Sequence, residues 1–104
     1  MPLDFIAADK QKNIDGKSAC FSLSESAHQA LLSASSPRNA YPNIQKFADY
    51  YADTSILFGE IQPLLLEIGA AARARNIVSG EIVALTAFLG SAYGDGLNIY
   101  IFAD

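Results

Sequence analysis

The sequence has few of the residues from which small proteins usually build a reactive site. It contains one cysteine (Cys20), one histidine (His28) and no tryptophan among 104 residues. A single cysteine excludes an internal disulfide and a cysteine-built zinc centre, and it is typical of a reducing compartment. Apolar runs are only a few residues long, far below the ~20 that a membrane-spanning helix needs. Residues 1–4 lack the basic and apolar regions of a secretory signal. We therefore expect a cytoplasmic protein.

Charge is also scarce, and most of it is acidic. Charged residues make up 17% of the chain, and 7 basic against 11 acidic side chains give a net charge of −4. Phosphate backbones and anionic lipid headgroups both require a basic face, so direct binding to nucleic acid or to a membrane surface is not expected. Residues 1–48 carry five basic and four acidic groups, whereas residues 49–104 carry two basic and seven acidic groups. Any electrostatic surface is therefore expected in the second half, facing a basic or neutral partner.

Apolar residues, by contrast, are plentiful enough for one hydrophobic core. They form 51% of the chain, whose length predicts a single domain over residues 1–104. Alternating patterns predict strands at Leu3–Ala8 and Ser18–Leu23, and the long segment between them leaves their pairing register open. The nearly uninterrupted apolar run Leu97–Phe102 predicts a central strand covered on both faces.

Four stretches have the apolar periodicity of helices. Their predicted bounds are Ser24 (cap) to about Ala34, Tyr41–Tyr51, Glu60–Arg75 with Pro63 in its first turn, and Gly80–Tyr93 behind a Ser79 cap. The short run Ile56–Phe58 is interpreted as a strand or a buried connector, and Asn76 and Gly94–Gly96 as helix ends. The prediction is an α+β fold of about four helices packed on a small, mostly antiparallel three-stranded sheet, with the C-terminal strand central.

No group of residues has the spacing of a catalytic or metal site, so we expect no enzyme and no cofactor. Cys20 and His28 would form a dyad only if the fold brought them together, and the favoured interpretation is packing, with His28 on a helix surface. Asp49 and Asp53 would share a helical face if the second helix extends that far. That pair would suit a hard cation or acid–base chemistry, but a solvated acidic face is the more common arrangement.

The segment Asp49-Tyr50-Tyr51-Ala52-Asp53 is the most informative part of the sequence. Tyr51 continues an apolar stripe and is assigned to the core, whereas Tyr50 points elsewhere between the acidic residues. Tyrosine beside carboxylates is frequent at protein-binding surfaces, because its ring gives a large contact area at low entropy cost. Packing explains an adjacent tyrosine pair equally well, so both interpretations stay open.

Four segments of the sequence, taken together and in chain order, are similar to those of a known protein family. The similarity covers most of the chain outside Asp9–Lys17. The segments are Cys20–Ser24 before the helix bearing His28, Phe47–Asp53, Glu60–Ile68 and Gly94–Asp104. The most specific part is D-Y-Y-x-D followed by E-x-x-P-L-L-x-E. As a set, these segments resemble small immunity proteins of bacterial contact-dependent growth inhibition and polymorphic-toxin systems.

This resemblance implies a cytoplasmic, non-enzymatic inhibitor that binds the toxic C-terminal domain of a cognate effector. Many such toxins are nucleases with basic substrate surfaces, which an acidic inhibitor would complement. The predicted partner-binding residues are Asp49, Tyr50, Asp53, Glu60, Tyr93, Asp95 and Tyr100. Two alternatives stay open. One is a small enzyme or ligand-binding domain with Asp49, Asp53 or His28 in a cleft, and the other is an adaptor subunit with an exposed apolar patch.

Overall fold

The computed structural model describes residues 3–16, 18–35, 40–47, 53–77 and 79–103. Within these ranges the chain forms three α-helices and four strands, with short 3₁₀ helices at Gln11–Asn13 and Ile44–Phe47. The elements in chain order are β1 Leu3–Ala8, β2 Cys20–Leu23, α1 Glu25–Ala34, β3 Thr54–Ile56, α2 Phe58–Ala74, α3 Gly80–Gly94 and β4 Asn98–Ala103. No helix among them has both the length and the apolar character needed to cross a membrane.

The strands form one antiparallel sheet in the order β2-β1-β4-β3. β1 pairs with β4 along its whole length and places Phe5 opposite Ile101. On the other side of β1, β2 brings Phe21 opposite Phe5. β3 pairs only with β4, so that Ser55 lies opposite Tyr100. The C-terminal strand is therefore central, as predicted.

The helices pack on one face of the sheet, and the core lies between these two layers. Because side chains alternate along a strand, every second residue of β1 and β4 points into this core. The largest fully buried side chains are Phe5, Phe47, Leu3, Leu23, Leu31, Ile44, Ile56, Ile61, Leu64, Ile68, Leu85 and Leu89. Phe5 and Phe47 meet edge to face with ring centroids 5.5 Å apart, which joins the sheet to the second 3₁₀ helix.

The predicted numbers of about four helices and three strands are wrong. The stretch predicted as the second helix provides only the 3₁₀ helix Ile44–Phe47 in the part of the chain that the structure describes, and Tyr51 lies outside that part. The strand that was not predicted is β3, Thr54–Ile56, which lies where the helical pattern of the sequence breaks. Its residues are mostly polar because it is an edge strand, of which only Ile56 enters the core.

The helix ends confirm the predicted caps. The hydroxyls of Ser24 and Ser79 each accept a hydrogen bond from the amide three residues later, at 3.2 and 3.3 Å. Asn76 ends α2 with a φ of 54°, and Gly96 ends α3 with a φ of 71°. Both residues follow the helix in the left-handed conformation that closes a Schellman motif, which glycine and asparagine tolerate best.

The start of α2 differs from the prediction. The helix begins at Phe58 rather than at Glu60, because the Leu57 amide donates to the Glu60 carboxylate at 2.9 Å and the Glu60 amide donates to the Leu57 carbonyl at 2.8 Å. Pro63 is therefore beyond the first turn, and the Gly59 carbonyl loses its usual helical partner. Gly59 is exposed, so water can solvate that carbonyl.

Candidate functional site

The face of the sheet opposite the helices carries apolar side chains that the core does not absorb. Tyr100 and Phe102 of β4 are half-buried, as is Ile6 of β1, whereas Ile99 and Ile101 are fully buried on the helical side. The prediction that Leu97–Phe102 is covered on both faces is therefore wrong. The apolar run reflects a strand with one packed face and one aromatic face that is still partly open to solvent.

A cleft of about 270 Å³ lies along β3 and β4. Its lining residues are Gln11, Asp53, Thr54, Ser55, Tyr100, Ile101 and Phe102. Asp53 precedes β3, and its Oδ1 atom accepts a hydrogen bond from the Ala103 amide at 2.8 Å. This bond fixes the carboxylate beside the end of β4. Two predicted partner-binding residues, Asp53 and Tyr100, are thus brought together in one cleft.

A stacked aromatic pair lies beyond the other end of β3. Phe58 begins α2 and Tyr93 lies in the last turn of α3, and their rings are nearly parallel, at 7°, with centroids 5.0 Å apart. The Tyr93 hydroxyl donates to Oε1 of Gln62 at 3.2 Å. Phe58 remains 40% exposed, Tyr93 36% and the adjacent Leu57 53%. Exposed aromatic area of this kind is enriched at protein interfaces.

Asn98 ties this aromatic pair to the sheet. Its side-chain oxygen accepts a hydrogen bond from the Phe58 amide at 2.7 Å, and its side-chain NH₂ donates to the Asp9 carbonyl at 2.9 Å. The side-chain amide group of Asn98 thus joins the start of α2 to the segment that follows β1. The position of Phe58 is set by the sheet as well as by the helix.

The cleft and the aromatic pair lie at opposite ends of the short strand β3. In the pairing of β3 with β4, Ser55 lies opposite Tyr100. Leu57 is still extended, with φ −73° and ψ 158°, so alternation puts its side chain on the same side as Ser55. Leu57 therefore lies on the cleft side of the sheet and directly precedes Phe58 in the chain. We call this area the β3–α3 surface, and it comprises Asp53, Leu57, Phe58, Tyr93, Asp95 and Tyr100.

Several carboxylates of the acidic second half hold the protein together instead of forming a free acidic face. Glu60 pairs with Lys46 as well as capping α2. Glu67 accepts hydrogen bonds from the start of the second 3₁₀ helix, and Glu81 accepts one from the Ser24 amide at 2.6 Å. The predicted acidic surface is reduced accordingly, because an internally bonded carboxylate has fewer acceptor sites left for a partner.

The predicted partner-binding residues thus lie in different environments. Asp53 and Tyr100 line the cleft, Tyr93 belongs to the stack, and Asp95 is an exposed residue at the end of α3. Glu60 lies near the stack in sequence, but it already has Lys46 as a partner. Asp49 and Tyr50 lie outside the described residues.

Leu57 and Phe58 are not among the predicted site residues, because the run Ile56–Phe58 is interpreted above as a strand or a buried connector. They are instead the exposed join between an edge strand and a helix. The one available signal was the capping pattern, because Glu60 bonds back to the amide three residues earlier. Because the helix starts before Glu60, the preceding strand must end at Ile56. Leu57 and Phe58 then lie at the connection between the strand and the helix.

Cys20 and His28 lie in different environments. Cys20 is exposed on β2, whereas His28 of α1 is only 2% exposed, with Nε2 2.7 Å from the Phe47 carbonyl oxygen. The prediction of a surface histidine is therefore wrong, because α1 turns that side chain toward the second 3₁₀ helix. Partial burial, together with the Asp4 carboxylate, raises the pKa of the Cys20 thiol, which lowers its reactivity as a nucleophile.

Neither a metal site among the described residues nor a similarity to known proteins adds to this description of the site. In the described ranges, no group of three or more His, Cys, Asp or Glu side chains is arranged to hold a metal ion. Comparison of the chain with protein-family models, with curated proteins and with solved structures gives no match. The β3–α3 surface and the resemblance described above are therefore the two grounds for assigning a function.

Proposed function

We propose that this protein is a cytoplasmic bacterial immunity protein that binds and neutralises the toxic domain of a cognate effector, for which a nuclease is the leading candidate. The exposed Phe58–Tyr93 stack is the observation that supports a protein-binding role. The choice of a toxin as the partner rests on the resemblance of the sequence to immunity proteins.

The aromatic pair has the properties of a binding hot spot. Two large rings are exposed side by side, and the hydrogen bond from Tyr93 to Gln62 holds one of them in place. Rings that are already ordered lose little rotamer freedom when a partner covers them. Burial of their apolar area therefore stabilises the complex, because little of that free energy is cancelled by a loss of side-chain entropy.

The remaining carboxylates are suited to steering a basic partner toward this surface. Asp53 and Asp95 are both exposed, Asp53 just before β3 and Asp95 at the C-terminal end of α3. Because several other second-half carboxylates are bonded internally, we assign most of the affinity to the apolar rings. The charges then act chiefly on the association rate and on its dependence on salt.

A small ligand-binding domain is the second candidate, and the Asp53 cleft is the observation that favours it. Of the residues named above for an enzyme or ligand-binding domain, which were Asp49, Asp53 or His28, Asp53 does line a cleft. His28 is instead buried and bonded to the Phe47 carbonyl. The toxin-binding proposal accounts for the aromatic pair as well as the cleft, so we prefer it.

The test begins with affinity purification of the tagged protein from its native cells, followed by binding measurements with the purified partner domain. The double variant Phe58→Ala/Tyr93→Ala should weaken binding by roughly 100-fold or more, the loss typical of two hot-spot residues. It should also abolish protection of cells that express the toxin. Circular dichroism spectra will show whether the variant is folded.

Matched controls come from other exposed apolar residues of the same two helices. Leu66 is 69% exposed and Val83 is 66% exposed, and neither belongs to the β3–α3 surface. Leu66→Ala and Val83→Ala should leave the affinity within about threefold of the wild type, the behaviour of residues outside a hot spot. Unchanged binding by the folded Phe58→Ala/Tyr93→Ala variant would contradict the proposed surface. Loss of binding in the two controls instead would favour an adaptor that uses the outer helical face.

A further inference from the structure

The Asp53 cleft contains a carboxylate that is positioned but not neutralised. Its Oδ1 atom accepts the Ala103 amide at 2.8 Å, and a carboxylate has further lone pairs on both oxygens. The ion pair found among the described residues joins Lys46 to Glu60 and does not involve Asp53. The side chain is therefore oriented by the end of β4 while acceptor sites remain for a cationic ligand.

The other lining residues are suited to a flat cation with several donors. Tyr100, Gln11, Thr54 and Ser55 also line the cleft, and their side chains carry an aromatic ring, an amide and two hydroxyls. A guanidinium group has five N–H donors in a plane, stacks on aromatic rings and is more weakly hydrated than an ammonium group. One carboxylate with an aromatic ring and several neutral acceptors matches those requirements better than it matches a compact ammonium ion.

The charges near the cleft do not reverse this preference. Lys10 and Lys12 flank Gln11 in the sequence, but both are exposed to solvent, where salt screens their repulsion. Among the described residues that line the cleft, Asp53 is the one with a charge. A cation that enters the cleft therefore meets a direct carboxylate partner, and the repulsion from Lys10 and Lys12 is screened.

From this geometry we infer that the cleft binds the guanidinium group of an arginine side chain presented by a protein partner. The inference rests on the proposed function for the source of that arginine, whereas the preference of the cleft for guanidinium can be measured separately. It assigns the cleft a specific anchoring role beside the aromatic pair. An arginine in the cleft and an apolar group on the Phe58–Tyr93 stack would fix the orientation of the partner.

The experiment is a titration of the ¹⁵N-labelled full chain, followed by heteronuclear NMR. The probes are N-acetyl-arginine amide, N-acetyl-lysine amide and the neutral isostere N-acetyl-citrulline amide. We expect the arginine probe to shift the amide signals of Thr54, Ser55 and Ala103 with a Kd on the order of 1 mM. The lysine probe should bind more weakly, and the citrulline probe should leave these signals unchanged.

Asp53→Asn removes the charge and keeps an oxygen that can accept the Ala103 amide, so it should preserve the fold. It should weaken the arginine probe by at least about tenfold, the usual effect of losing one charge-assisted hydrogen bond. Glu25→Gln, which removes an exposed carboxylate of α1 outside the β3–α3 surface, is the matched control and should have no effect on the titration.

Several results would overturn the inference. Equal binding of the citrulline probe, full binding to Asp53→Asn, or lysine binding as tight as arginine binding would each refute guanidinium recognition. Much tighter binding of free agmatine than of the capped arginine would show that the cleft serves a small metabolite instead. If the cleft fails these tests while Phe58→Ala/Tyr93→Ala still disrupts the complex, the proposed function stands and only this inference is wrong.

Discussion

Replacing Glu67 by alanine should lower the free energy of unfolding, because this side chain holds the second 3₁₀ helix in place. Its Oε1 atom accepts the backbone amides of Asn43 and Ile44 at 2.9 and 3.1 Å, and its Oε2 atom accepts the Asn43 side-chain amide at 2.6 Å. Glu67 is half-buried, so in its absence water can replace only some of the hydrogen bonds that its carboxylate accepts. The side chains of Ile44 and Phe47, which follow directly, are fully buried.

The expected loss follows from the number of groups left without an acceptor. A buried donor that loses its partner costs about 1–3 kcal/mol. Since this site is half-buried, we take the lower end, about 1 kcal/mol, for each of the two backbone amides and at most about 1 kcal/mol for the Asn43 side-chain amide, which water can partly solvate. Glu67→Ala should therefore destabilise the protein by roughly 2–3 kcal/mol. Glu67→Gln keeps one acceptor oxygen and should cost roughly 1 kcal/mol.

Urea unfolding followed by circular dichroism measures both variants. The midpoint should fall without a change in the slope, because the native surface is preserved, and the melting temperature should fall by roughly 10–20 °C for the alanine variant. Glu25→Ala is the control, since Glu25 is exposed and accepts only a long bond of 3.4 Å from Gln29. It should cost about 0.5 kcal/mol or less. An equal loss for both alanine variants would refute the assigned role of Glu67.

His28→Leu should destabilise the protein by about 1–3 kcal/mol, because it leaves the buried Phe47 carbonyl without its hydrogen bond. Thermal unfolding measures this loss, and a change below about 0.5 kcal/mol would contradict it. The raised pKa of the Cys20 thiol should make alkylation by iodoacetamide slower near pH 8 in the folded protein than in urea. Asp4→Asn should speed the folded-state reaction, because Asp4 adds to the rise in pKa, and identical rates in the folded and unfolded protein would count against the assigned pKa shift.

Local chemistry was enough to predict most helix ends and the strand at the chain's C-terminal end. Ser24, Ser79, Asn76 and Gly96 act through bonds to residues only a few positions away. Such bonds depend on the residue type and its neighbours, so the sequence displays them directly. The dense β-branched and aromatic run after Gly96 likewise predicts a strand without reference to the rest of the fold.

Pairing between distant segments could not be predicted in the same way. The edge strand Thr54–Ile56 is a strand because β4 offers it hydrogen-bonding partners, and its own residues are too polar to indicate it. The carboxylates of Glu67 and Glu81 bond to segments far away in the sequence. The same composition therefore predicted an acidic surface where the fold contains internal hydrogen bonds.

Local sequence patterns were sufficient to predict an α+β fold, its principal helices and a C-terminal strand. The tertiary structure alone decided that Asp53 and Tyr100 share a cleft and that Phe58 stacks on Tyr93. Helix and strand signals arise from neighbours within a few residues, whereas a surface is assembled from residues that only the sheet register and helix packing bring together. Tyr93 and Tyr100 acquired their places in a candidate site through that packing and register.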